Sequence, residues 1–345
     1  MLHRGTIILF AVLASCPSAP AVAATFCVSN SAELQAALQS ASTNADASDL
    51  IKLRAGTYVS PAGGFGRNQH FDGTESITIE GGWANLFGNC DFASHSPTAS
   101  VIDGANTNPG LIINRGVGTG STTIRKLTIT RGFQGGNQGN TNRGGGLAIF
   151  TVTGSNGGTT VENMIFSDNN ASLIAGGAYL AGAPLVIRSN LFVGNGASTG
   201  SAMSTISNSS TVYFNNNTVT QSVGSGPTSA VIRFDGDSAV YLSNNILWGN
   251  FGRDLFANGM TVISNIIQTL EGTPALANSN LGVDPLFVSA SDFRLRPASP
   301  ALNTGANTPF GDLSTRDLDG GARIIGPTVD RGAYEANTFF ANGFE

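Results

Sequence analysis

The sequence predicts an all-β, single-domain protein: a parallel β-solenoid with a short helix closing its N-terminal end. Three observations carry that reading. Composition is the first: 45 of 345 residues are Gly, charged residues make up only 11% and hydrophobic ones 41%. Small turn formers between short apolar runs suit many short strands, and so low a charge with so much apolar content does not suit a disordered chain. The second is an internal repeat, and the third is strict alternation of inward and outward positions inside each repeat, the period of a strand.

The repeat is anchored on the apolar residue that precedes each polar corner: Ile129, Phe166, Phe192, Val219, Leu247 and Ile267, spaced 37, 26, 27, 28 and 20 residues apart. Five positions earlier stand Ile124, Val161, Ile187, Phe214, Leu242 and Val262, all apolar; seven earlier stand Thr122, Thr159, Leu185, Val212, Val240 and Met260. These share one face, and the residues between them point outward. Asn recurs two before the anchor (Asn190, Asn217, Asn245, Asn265) and three after it (Asn169, Asn195, Asn250). Asn tolerates the left-handed backbone of a corner, and stacked Asn side chains can bond from coil to coil. Coils that bury their faces only against neighbours form a solenoid.

Taken in chain order, residues 1–24 read as a secretory signal. A basic start is followed by the apolar "TIILFAVLA" and by "AVAA" at Ala21–Ala24, with cleavage after Ala24. "LASC" at Leu13–Cys16 is a rival lipoprotein box, in which Cys16 would carry the lipid. No other run approaches the roughly 18 apolar residues of a membrane-spanning helix. Cleavage at Ala24 leaves Cys27 and Cys90, which read as one disulfide in an exported chain.

Residues 25–60 form the N-terminal cap. Asn30 and Glu33 have capping-box spacing, and Leu34, Ala37, Leu38 and Ala41 line one helix face. "LIKLRAGTYV" then reads as the first strand. Residues 61–290 are the coils, beginning with "SITIEGG", "SVIDG" and "GLIINRG"; residues 291–336 are a C-terminal cap module, and 337–345, ending in "FFANGFE", are a tail. The tail has two readings, a docking or sorting segment and a free end.

At these residues the chain resembles secreted bacterial single-stranded, right-handed parallel β-helix proteins of the pectin-lyase-like superfamily. It is similar in particular to polymorphic-outer-membrane-protein repeats, which pair an "FxxN" corner with a "GGA" step. Here "FSDN" at Phe166–Asn169 precedes "GGA" at Gly176–Ala178, and "FVGN" at Phe192–Asn195 repeats the first element. "DPLFV", "DFRLRPASPALNTG" and "DLDGGARIIGPTVDRGAYE" look like a module that ends such proteins. The resemblance spans nearly the whole mature chain. It implies the fold, but not one activity, because the superfamily holds lyases, glycosidases, adhesins and autotransporter passengers.

The superfamily's lyases use Ca²⁺ on clustered Asp with a Lys or Arg base. Here Lys occurs only as Lys52 and Lys126, and the outward column of Arg125, Glu162 and Arg188 reads as a surface charge ladder. Its polygalacturonases carry "GHG" and "RIK", and neither occurs; the mature chain holds only His70 and His95. The hydrolytic candidate is "VIRFDGD", Val231–Asp237. With Ile232 and Phe234 inward, Arg233 and Asp235 stand outward together and Asp237 follows at the corner. Paired carboxylates could cleave a glycosidic bond; an Arg–Asp surface pair with a turn Asp is the simpler reading.

Tyr213 and Tyr241 share an outward column on adjacent coils, about 4.8 Å apart. They read either as a platform for sugar rings or as cross-coil stacking, and with Arg233 they are the expected ligand-binding set. "DLDGG" hints at a Ca²⁺ loop through Asp317 and Asp319, against a cap held by Arg–Asp bonds. No other cofactor is expected. The net charge of −5 becomes −6 once Arg4 leaves with the signal, and no basic stripe invites nucleic acid. The expected protein is monomeric and exported, secreted or at the cell surface. It binds a polysaccharide or another macromolecule along its face without catalysis. A polysaccharide lyase or glycoside hydrolase, and a purely structural envelope component, are the alternatives.

Overall fold

The computed structural model describes residues 23–336 apart from 45, 85–89, 136–141, 153, 207–210, 227–228 and 237–238. The signal segment with Cys16, the corner residue Asp237 and the tail 337–345 lie outside the described residues. The chain winds as a right-handed parallel β-helix of three long sheets, with a further two-stranded parallel pair of Phe133–Gln134 and Asn170–Ala171. The first runs from Ala24–Val28 to Leu276–Asn278, the second from Gly56–Val59 to Ile266–Ile267, and the third from His70–Phe71 to Leu270–Glu271. Each coil visits them in that order, so every strand pairs with its equivalent in the next coil. The antiparallel contact of Trp83–Ala84 with Phe92–Ala93 is the departure from parallel pairing among these strands.

The register reproduces the columns read from the sequence. Ile129, Phe166, Phe192, Val219, Leu247 and Ile267 are aligned strand to strand, as are Ile124, Val161, Ile187, Phe214, Leu242 and Val262. All are buried in one continuous core that runs the length of the solenoid. Phe166 and Phe192 stack there, with centroids 4.8 Å apart.

The corners differ from expectation by one residue. The left-handed positions are Asn163, Ser189, Asn216, Asn244 and Ser264, each immediately before the inward Asn or Met column, with φ from 52° to 60°. Asp168, with φ 54°, holds the matching place in the second corner, just before Asn169. A single left-handed residue turns the strand by itself, which frees the following Asn to point inward. Asn190, Asn217 and Asn245 each donate Nδ2 to the Oδ1 of the next Asn, at 2.9, 3.1 and 2.8 Å; Asn265 continues to Asn280 at 3.0 Å. Each Oδ1 also accepts the backbone N–H of the preceding coil's Asn, and each Nδ2 also donates to a carbonyl of the preceding coil. A buried amide is therefore satisfied on both ends.

The predicted helix spans Ser31–Ala41, with Leu34, Ala37, Leu38 and Ala41 buried. Asn30 Oδ1 accepts the Glu33 N–H at 3.0 Å, while Glu33 returns to the N–H of Ser29, at 2.7 Å, rather than to that of Asn30. The helix packs on the first coil and covers its open end. One strand was not foreseen: Ala24–Val28 precedes the helix and pairs with Ser48–Arg54. "LIKLRAGTYV" is not one strand but two, Ser48–Arg54 and Gly56–Val59, on different sheets; the corner falls at Ala55. The Cys27–Cys90 disulfide forms, with Cα atoms 5.7 Å apart, and ties that first strand to the chain beyond Trp83.

The C-terminal module sits elsewhere than a terminal cap would. From Phe287 onward the chain turns back and lies lengthwise along the outside of the second sheet. Its Phe293, Leu318 and Ala333 pack on Leu191 and Ile165, and its Leu295 and Ala301 on Ile246 and Ile266. Outward on the second sheet stand the apolar Ile165, Leu191, Val193, Ile246, Trp248 and Ile266, and burying them needs a cover. Corner residues receive this strap: Asn163 donates to Asp317 O, Asn216 to Asp330 O and Asn244 to Ala306 O. Among the described residues nothing covers the solenoid's last coil: Leu276 is exposed, and the edge is blunted by strands of only two or three residues.

Candidate functional site

The third sheet places the "VIRFD" part of "VIRFDGD" as the alternation requires, and Asp237 lies outside the described residues. In Ala230–Asp235, Ile232 faces the core and Phe234 packs against it. Arg233 and Asp235 stand outward, half-exposed, and pair at 2.6 Å. They align with Ser204 and Ile206 of the coil before. A cleft of about 400 Å³ opens beside them, lined by Thr199, Ser229, Arg233, Asp235, Arg253 and Phe256.

The next coil supplies the other half of this cleft. Arg253 pairs with Glu271 at 2.8 Å, and its guanidinium lies 5.0 Å over the Phe256 ring. Phe256 is 43% exposed. Arg253 Nε is buried and has no hydrogen-bond partner among the described residues. The cleft therefore presents a half-exposed aromatic ring, one face of it under the Arg253 guanidinium, beside two guanidinium–carboxylate pairs. The sequence reading missed Arg253 and Phe256. The register was the available signal, since "RDLF" at Arg253–Phe256 lies one coil on from "AVIR" at Ala230–Arg233, which puts Phe256 beside Arg233.

Asp254, next to Arg253, turns inward. It accepts from Asn250 Nδ2 and from the Thr269 N–H, both at 2.8 Å. Burial pushes its carboxyl up to about 6, against the hydrogen bonds from Asn250 and the backbone. Asp254 thus holds the corner beneath the cleft and does not line it.

The Tyr column forms, but on another face. Tyr213 and Tyr241 lie on the first sheet and stack with centroids 5.6 Å apart. The strap then covers them: Phe310 lies 4.4 Å from Tyr241, and a Cβ on Gly311 would stand 2.3 Å from the Tyr213 ring. A sugar platform needs an open ring face, and here the strap occupies it. Sharing coils does not mean sharing a surface, because each coil crosses three sheets. A single ligand surface of Tyr213, Tyr241 and Arg233 is therefore not what the chain builds.

Asp317 and Asp319 are engaged within the strap. Asp317 accepts the N–H groups of Gly321 at 2.7 Å and Glu335 at 3.0 Å. Asp319 binds Arg294 bidentately at 2.7 Å. Arg323 and Glu335, both buried, pair at 2.7 Å beside them. Asp319 is thus tied to an Arg within the strap, and Asp317 to backbone N–H groups. In the charge ladder, Glu162 pairs with Arg188 at 2.6 Å, whereas Arg125 turns to Glu80 of the preceding coil at 3.0 Å. His70 lies exposed at the start of the third sheet and His95 lies beside the strap. No helix among the described residues is long and apolar enough to cross a membrane.

No protein-family model matches the chain, and no curated protein matches it in sequence. Among solved structures it is similar to pectate lyase Pel9A, at 15% identity over 84% of this chain and 88% of that one, with a TM-score of 0.30. The cleft and its chemistry rest on this chain's own residues.

Proposed function

We propose that this chain is an exported, secreted or surface-held β-helix protein that binds a glycan in the third-sheet cleft without cleaving it. The observation that carries the reading is the half-exposed Phe256 ring set beside the Arg233–Asp235 and Arg253–Glu271 pairs. An aromatic face buries the apolar side of a sugar ring. Planar guanidinium groups, fixed by their carboxylates, offer aligned donors to its hydroxyls.

Binding is favoured over hydrolysis because Asp235 is held by Arg233 at 2.6 Å. Glycoside hydrolysis needs two carboxylates aimed at the scissile bond, and here Asp235 is turned onto Arg233 instead. The test is a glycan panel, neutral and acidic, read for both binding and release of reducing or unsaturated ends. Retention of a glycan without product supports the proposal. Product formation that Asp235→Asn abolishes would replace it with an enzyme. Neither binding nor cleavage would leave the structural reading.

A further inference from the structure

On the opposite side of the molecule, where the strap crosses from the second sheet toward the first, a smaller cavity of about 190 Å³ is lined by His95, Arg125, Lys126, Glu162, Arg316 and Asp317, among others. We propose that this seam is an oxyanion site, taking sulfate, phosphate or a carboxylate group, and that it is independent of the glycan cleft.

The charges are unevenly matched. Arg125 and Lys126 share one carboxylate, Glu80, at 3.0 and 2.6 Å. Arg316, from the strap, donates to the carbonyl of Gly320 at 2.7 Å and has no carboxylate partner among the described residues. The two acidic side chains in the wall are engaged elsewhere: Glu162 with Arg188, and Asp317 with the N–H groups of Gly321 and Glu335. Burial also pushes the Asp317 carboxyl upward from its ordinary value.

Two lining side chains carry orphaned polar atoms. Arg125 Nε and His95 Nδ1 are both buried and have no hydrogen-bond partner among the described residues. Burial, and then the fields of Arg316 and Lys126, lower the pKa of His95, a sign that positive potential collects here. Buried polar atoms are ordinarily satisfied, and a group with several acceptor oxygens meets guanidinium and ammonium donors together. The donors come from three separate segments: the chain before Pro97, the first corner, and the strap. A bound anion therefore joins the strap to the coils.

The experiment is titration calorimetry of the full-length mature protein with sodium sulfate and, separately, with a sulfated oligosaccharide. Millimolar concentrations keep sulfate below the range in which it acts by exclusion from the protein surface. Saturable binding is expected for at least one probe. Arg316→Gln and Lys126→Met should each weaken it at least ten-fold while leaving the circular-dichroism spectrum unchanged. Binding of free sulfate identifies an inorganic ligand; binding of the oligosaccharide alone identifies a glycan-borne group. No saturable heat with either probe, or equal affinity in both variants, overturns the proposal. Phe256→Ala should leave this binding intact, so its outcome is separate from that of the glycan cleft.

Discussion

Asn217 Nδ2 donates to Asn245 Oδ1 at 3.1 Å, and the same oxygen accepts the Asn217 backbone N–H at 2.8 Å. One amide thus serves two donors of the neighbouring coil, while Asn217 Nδ2 also reaches Ile187 O at 2.9 Å. Side-chain bonds bind the coils along the axis, parallel to the backbone ladders.

Removing one rung should be costly. Asn217→Ala strips the acceptor from the Asn190 N–H and Nδ2 and the donor from Ile187 O, all buried. At about 1–3 kcal/mol per orphaned buried group, the loss is expected to be about 3 kcal/mol or more, read as a lowered urea midpoint. Asn278→Ala, on the exposed last strand, should cost less than about 0.5 kcal/mol.

Opening the disulfide should loosen the capped end. Cys27 and Cys90 close a loop of 63 residues, for which the chain-entropy account gives about 4 kcal/mol. Cys27→Ser should lower the unfolding midpoint accordingly, and non-reducing peptide mapping should find the Cys27–Cys90 pair in the native protein. Two free thiols would remove the clamp.

The strap depends on a buried ion pair. Arg323 and Glu335 are both almost wholly inaccessible, and removing one partner leaves an uncompensated charge, at a cost of about 3–5 kcal/mol. Arg323→Ala should therefore raise hydrogen exchange across residues 287–336. Protection of the Asn190–Asn265 ladder should persist, because the strap lies outside the coils.

Stability should fall as pH rises from 5 to 8. Burial lifts Asp254 to about 6, and burial followed by the charge of Asp49 lifts Glu75 to about 7. Both folded forms hold their protons more tightly than the unfolded chain. Their contribution is complete below the ordinary carboxylate range and is lost as pH passes through those values. A combined loss of about 3 kcal/mol is expected across that interval, measured by denaturant midpoints. Asp254→Asn and Glu75→Gln should each flatten the profile; a profile unchanged in both would contradict this origin.

The solenoid was legible because its constraint is periodic. Every inward column from Ile129 to Ile267 can be aligned by eye, and each coil repeats the test. The corner residues were misplaced by one, since Asn serves either as a left-handed turn or as an inward ladder rung, and composition does not say which. Asn217 is the rung and Asn216 the turn. The strap was legible as a module but not as a lateral cover, because its contacts with Leu191 and Asn163 span more than a hundred residues. That cover decided the candidate site: it took Tyr213 and Tyr241 out of contention. Arg233 and Asp235, read by alternation alone, stand where they were expected, while Phe256 emerged only when neighbouring coils were set in register.

The most direct test of the account is affinity for the glycan that the panel selects, compared between the native protein and Phe256→Ala. Phe256 is exposed and makes no core contact, so the variant should fold as the native protein does. Loss of a stacking ring of this kind is worth about 1 kcal/mol or more beyond the area it buries, so binding should weaken at least five-fold, with Tyr213→Phe unchanged. Equal affinity in Phe256→Ala, or weakening by Tyr213→Phe instead, would contradict the placement of the binding site on the third sheet.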